Sequence, residues 1–145
     1  MKYTYNDGGR AAAGYRDIAG DCVTRAIAIV TGLPYARVYR ELNHGARWES
    51  PSAAGPVGWC PSSARMGVRR IIYEPYLLWL GWAWTPTMAI GSGCRVHLRA
   101  EELPPGRLIV SVSRHLVAVI DGVIHDTLDC SRNGSRCVYG YYSRP

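Results

Sequence analysis

The C-terminal part of the chain restricts the fold most. From residue 107 onward, RLIVSVS, HLVAVID, GVIHDT and RCVYGYY are short runs rich in β-branched and aromatic residues, separated by turn formers. That pattern predicts an antiparallel sheet. The Asp121-Gly122 pair between two of the runs is a strong hairpin signal, because a two-residue type I′ turn needs positive φ at both central positions. With that turn, Ile120 faces Val123, Val117 faces Asp126 and His115 faces Leu128. His115 and Asp126 then share one face as diagonal cross-strand neighbours, near enough for a carboxylate to reach an imidazole nitrogen. His125 points to the opposite face.

The preceding part predicts helices. In GDCVTRAIAIVTG, Asp21 is a candidate cap, Val23, Ala26, Ile27 and Val30 fall on one face, and Gly32 ends the helix. Cys22 therefore sits in the first turn. A second helix opens at Pro34, carries Tyr35, Val38, Tyr39 and Leu42 as its stripe, and closes over Asn43 to Gly45. Residues 46 to 67 hold Pro51, Gly55, Pro56, Gly58, Pro61 and Gly67, breakers too closely spaced for long elements. They predict a surface loop framing a cleft, in which Trp59 is a candidate substrate-contacting residue. A short helix is expected over 74–80, stopped by Gly81. The nearby Tyr76, Trp79, Trp82 and Trp84 are read as core aromatics ahead of a stacking surface. Residues 1–20 read as an N-terminal arm, and 21–145 as a single domain. At 145 residues and 48% hydrophobic composition the chain can fill one core. Helices followed by strands predict an α+β fold, with the Cys22 helix packed across the sheet.

Composition narrows the function classes. No stretch approaches the roughly 18 to 20 apolar residues of a membrane span, and MKYTYNDGGR lacks the apolar stretch of a signal peptide, so the expected address is the cytoplasm. Five cysteines cannot all pair and their spacings do not resemble a disulfide framework, so they are read as reduced thiols. The net charge of +6 is spread along the chain. Only Arg69 and Arg70 are adjacent, which favours a solvated surface over a nucleic-acid footprint. Cys94 and His97 have a Cys-x-x-His spacing, but on a strand they point to opposite faces and no second close pair completes a zinc motif. Neither a metal nor another cofactor is expected.

An ordinary thiol, with a pKa of about 8.5, is mostly protonated near neutral pH and attacks carbonyls poorly. Cys22 has two sources of activation: the partial positive charge of its helix N-terminus and, if the fold brings it close, a His115 imidazolium. Asp126 is placed to fix the ring's tautomer and orientation. The Cys22 backbone amide, at the helix start, is a natural first donor to an oxyanion.

These residues resemble the papain-like superfamily, in which a cysteine opens the central helix and a histidine, then an acid or amide, lie on later strands. Asp21-Cys22 with its small apolar helix is similar to the bacteriocin-leader peptidases, and GRLIVSVSRHLVAVIDGVIHDT is similar to their histidine hairpin. The resemblance covers about 21–43 and 103–142. It extends, more loosely, to small uncharacterised bacteriophage and prophage proteins with a similar GDC helix and VIDGVIHDT segment. It implies a papain-like fold and a cysteine hydrolase acting through Cys22, His115 and Asp126. The substrate would be a protein or peptide, cut at a peptide, isopeptide or side-chain amide bond. Two departures stand out. The family's oxyanion-hole glutamine, six residues before its cysteine, is replaced by Arg16, so the second donor falls to Arg16, Asn6 or a backbone amide. The Cys-Gly-Ser/Ala-Cys-Trp signature of the papain and cathepsin branch is missing. The competing reading is a noncatalytic protein that binds nucleic acid or a host protein through basic and aromatic surface.

Overall fold

The computed structural model describes residues 1–17, 19–48 and 62–145. Its elements in chain order are β1 (Lys2–Tyr5), α1 (Cys22–Thr31), α2 (Tyr35–Ala46), α3 (Arg70–Trp79), β2 (Ala83–Pro86), a short 3₁₀ turn (Ala100–Glu102), β3 (Arg107–Val112), β4 (His115–Ile120), β5 (Val123–Asp126) and β6 (Val138–Ser143). The strands form one sheet in the order β1-β5-β4-β3-β6-β2. The molecule is α+β, but the sheet is mixed rather than wholly antiparallel, because β1 runs parallel to β5. Residues 2–5 are thus an edge strand. All four residues are exposed, Tyr3 and Tyr5 included, so this edge strand buries neither face, and its four residues are too short a stretch to stand out from the polar, Gly-rich residues that follow.

The β4–β5 hairpin has the expected register, with Ile120 opposite Val123 and Ala118 opposite His125. Asp121 and Gly122 both have positive φ, 48° and 75°. Gly122 also has little room for a side chain, since a Cβ there would lie 3.1 Å from the Ala100 Cβ. α1 ends as the sequence indicates, with Gly32 left-handed and its N–H bonded to the Ala28 carbonyl. α3 begins earlier than expected, at Arg70, with Pro75 inside it. A proline usually marks a first turn, and the five residues before it carry no such landmark.

Alternation along β3 and β4 divides the core in two. Ile109, Leu116, Ala118 and Tyr142 face α1, α2 and α3, whereas Leu108, Val110, Val117 and Val119 pack beneath Leu98 and Leu103. Both faces of the central strands are covered, which accounts for their nearly continuous apolar runs. Trp82 is buried in the helix-side core. Trp84 lies against Tyr142 and beneath the Arg70 guanidinium, and Trp79 is exposed.

The cysteine reading needs correction, because Cys94 and Cys137 form a disulfide. It joins the segment before the 3₁₀ turn to the start of β6, a pairing of positions 43 residues apart that spacing alone does not reveal. The bond also removes the cysteine argument for a reducing compartment. Among the described residues, no helix is long and apolar enough to cross a membrane.

Candidate active site

The site begins with the local chemistry of Gly20, Asp21 and Cys22. A Cβ on Gly20 would come within 2.9 Å of the Met66 carbonyl oxygen, so a larger residue would push the chain away just before α1. Asp21 does not cap the helix with its side chain. Its carboxylate is buried and turned aside, where it accepts hydrogen bonds from Arg25 and from the Tyr35 hydroxyl at 2.6 Å, with Arg10 at 3.6 Å. Asp21 therefore anchors α1 through a buried ionic cluster, and Cys22 becomes the first residue of the helix.

Three element ends come together here: Cys22 opens α1, His115 opens β4 and Asp126 closes β5, with His115 bonded to Asp126 and sharing a cleft with Cys22. His115 Nε2 lies 2.6 Å from Asp126 Oδ2. That leaves Nδ1 for a thiol: Cys22 lines the same cleft as His115, and the Cys130 Sγ lies within 4.8 Å of the His115–Asp126 pair. Asp126 is itself fixed. Its Oδ1 accepts from Arg25 Nη2 at 3.1 Å and from the Thr127 backbone N–H at 2.7 Å. Arg25 lies one turn along α1 from Cys22 and spans two buried carboxylates, Asp21 at the start of its own helix and Asp126 on the sheet.

The electrostatics follow from this packing. Burial pushes the Cys22 thiol up, but hydrogen bonds from His115 and the Leu116 backbone, with the charges of His115 and Arg25, bring it below the ordinary thiol value. Burial likewise disfavours a charged His115, yet its contacts with Asp126, Cys130 and Cys22 outweigh this and raise it to about 11. Asp126 moves down, since His115, Thr127 and Arg25 overcome its desolvation. Both shifts act in the direction of a thiolate and an imidazolium, with the imidazole Nε2 facing the Asp126 carboxylate. Cys22 and His115 line a cleft of about 630 Å³ with Gly20, Val68, Tyr73 and Leu116.

The other sequence-derived candidates fall elsewhere. Arg16 is exposed and does not line the cleft; its carbonyl accepts from Arg10. Asn6 is spent on structure, with Nδ2 3.3 Å from His125 Nδ1 and Oδ1 accepting the Gly8 N–H. Neither is placed as the second oxyanion donor. Trp59 lies outside the described residues. Two residues of the site are not apparent from sequence. Arg25 reads as a polar position on an amphipathic helix, and its partner Asp126 lies 101 residues away. Cys130 sits in an irregular segment beyond β5 with no motif around it.

Cys94 is consumed by its disulfide and His97 contacts Glu102, so these two do not form a metal pair. Among the described residues, the grouping with metal-type donors is His115, Asp126 and Cys130, whose ligand atoms lie within 4.8 Å of one another. Arg25 beside Asp126 places a fixed positive charge at that group, which opposes a cation. No protein-family model, curated protein or solved structure matches the chain.

Proposed function

We propose that this chain is a papain-like thiol hydrolase acting on amide bonds of proteins or peptides. The observation that carries the reading is a single imidazole, His115, bonded at 2.6 Å to a buried carboxylate and lining one cleft together with a cysteine that opens a helix.

In this reading the Cys22 thiolate attacks the carbonyl carbon of a peptide, isopeptide or side-chain amide. The oxygen becomes an oxyanion stabilised by the Cys22 backbone N–H at the helix start. His115 gives its proton to the departing nitrogen, the C–N bond breaks, and an acyl-thioester remains. Water then loses a proton to His115 as it attacks the thioester, releasing the acid and the thiolate. Asp126 keeps Nε2 protonated and the ring oriented throughout, and Arg25 holds Asp126 in place as a positioning residue. Water and the substrate balance every step.

Mapped alkylation tests this directly. Native protein is treated with iodoacetamide across a pH series and the modified cysteines are located by mass spectrometry, for wild type and for His115→Ala. Cys22 is expected to react fastest below about pH 7 and to lose that lead without His115. Equal reactivity of Cys22 and Cys130, unaffected by His115→Ala, would refute the reading.

A further inference from the structure

Beyond the nucleophile, the structure carries a pair of arginines that its own architecture does not use. Arg114 lies in the turn between β3 and β4, immediately before His115, and Arg132 lies in the loop after Cys130. Both are exposed, and the side chain of neither forms a hydrogen bond or ion pair among the described residues. Both adopt left-handed backbone, with φ of 56° and 53°. An L-residue other than Gly, Asn or Asp is costly in that conformation, and arginine brings no compensating local hydrogen bond. Two turn positions that would fold more readily with Gly or Asn instead carry unpartnered cations. Strain held at a cavity rim suggests a use for the side chain.

The cavity is specific. Arg114 and Arg132 line a space of about 630 Å³ on the side of His115 that carries Asp126 and Cys130, and Arg114 and His115 also line the Cys22 cleft. The two spaces share Arg25, Arg114 and His115 in their walls. Arg136 supports the turn by donating a hydrogen bond to the Ser113 carbonyl. Of the carboxylates in this cavity, Asp126 is paired with Arg25 and His115, and Asp129 accepts from the neutral Ser131 N–H and hydroxyl. Four arginines, Arg25, Arg114, Arg132 and Arg136, line the cavity against these two carboxylates, so positive charge is in excess, and Arg114 and Arg132 carry it at exposed positions.

From this we infer that the site selects acidic substrates: an Asp or Glu side chain beside the scissile amide is received by Arg114 and Arg132, which are specificity-determining residues. The inference rests on Cys22 being the nucleophile. Charge-assisted contacts of this kind discriminate a carboxylate from its isosteric amide through both attraction and encounter rate.

The test uses matched peptidyl chloromethyl ketones bearing Glu or Gln next to the reactive carbon, with iodoacetamide as a charge-neutral reference, and measures the labelling rate of Cys22. The Glu probe is expected to label about tenfold faster than the Gln probe at low ionic strength, with the ratio collapsing toward unity at about 1 M salt. In Arg114→Gly and Arg132→Asn the ratio should fall severalfold each, and the double variant should show little preference. Gly and Asn suit the left-handed backbone, so these variants retain the fold. If iodoacetamide labels Cys22 readily but Glu and Gln probes react equally, the inference is overturned and the thiolate reading stands. A Glu preference that survives in the double variant overturns the assignment to these arginines. Should Cys22 be inert to iodoacetamide at neutral pH, the nucleophile reading fails and takes the inference with it.

Discussion

The β4–β5 hairpin has two ends built on different rules. At the closed end, Asp121 and Gly122 form a two-residue turn whose geometry follows from their own backbone preferences, and Asp121 adds a side-chain hydrogen bond to the Gly106 N–H at 2.8 Å. At the open end, paired backbone positions extend only to Ala118 and His125, and beyond them His115 and Asp126 meet through their side chains. A residue from another element, Arg25, holds that end in place. The closed end is a local structure stabilised by conformational fit. The open end is a charged, buried cluster whose geometry depends on long-range packing of α1 against the sheet. Register is thus set at one end of the hairpin while a buried charged cluster is held at the other, with little demand on the same residues.

The difference should appear most strongly in Arg25. Arg25→Met leaves Asp21 and Asp126 buried without their shared cation, and removing one partner of such a cluster costs about 3–5 kcal/mol. Urea denaturation is expected to show a loss of that size; a loss below about 1 kcal/mol would mean the cluster does not hold the open end. Next comes His115→Ala. With the imidazolium gone the Cys22 thiol moves up, and its alkylation near pH 6.5 should slow by more than about tenfold as the thiolate fraction falls.

Asp126→Asn is a smaller change, expected to slow neutral-pH alkylation of Cys22 by about tenfold as the imidazolium loses its carboxylate. It also has a pH signature. Asp126 is held below its ordinary 3.8, so its contribution to stability is present above that value and is lost as pH falls through its lowered folded value. His115 is raised from 6.5 to about 11, so its contribution is complete below about 6.5 and fades as pH climbs toward 11. Thermal denaturation across pH should therefore show the wild-type advantage over Asp126→Asn and His115→Ala between about pH 4 and 6.5, narrowing on either side. The smallest effect belongs to the closed end. Gly122→Ala forces an L-residue to φ 75° against Ala100 and should cost about 1–2 kcal/mol, while the pH profile of Cys22 alkylation stays unchanged. A shifted profile would show that the two ends are coupled.

The same contrast explains what sequence makes legible. The register of β4 against β5 rests on two turn residues, and the end of α1 on Gly32, so both can be read locally. His115 and Asp126 meet because that register carries them into proximity. Arg25, Cys130 and the Cys94–Cys137 bond depend on contacts between distant segments, which neither spacing nor hydrophobic period encodes. Asp21 shows the limit of a local rule. Its position before α1 suits a cap, but Arg25 and Tyr35 compete successfully for its carboxylate. Arg16 and Asn6 were candidates through the family pattern alone, and the chain uses one at an exposed position and the other beside His125.

The proposed chemistry depends on the charge state of Cys22 and His115, and ultraviolet absorbance of the thiolate measures it without a substrate. Titration of wild type against Cys22→Ser isolates the signal of this one sulfur. Thiolate absorbance in wild type is expected to disappear in a single step at a pH below the ordinary 9.0, with that step displaced upward in His115→Ala. Absorbance that first develops near pH 9, alike in both proteins, would contradict it.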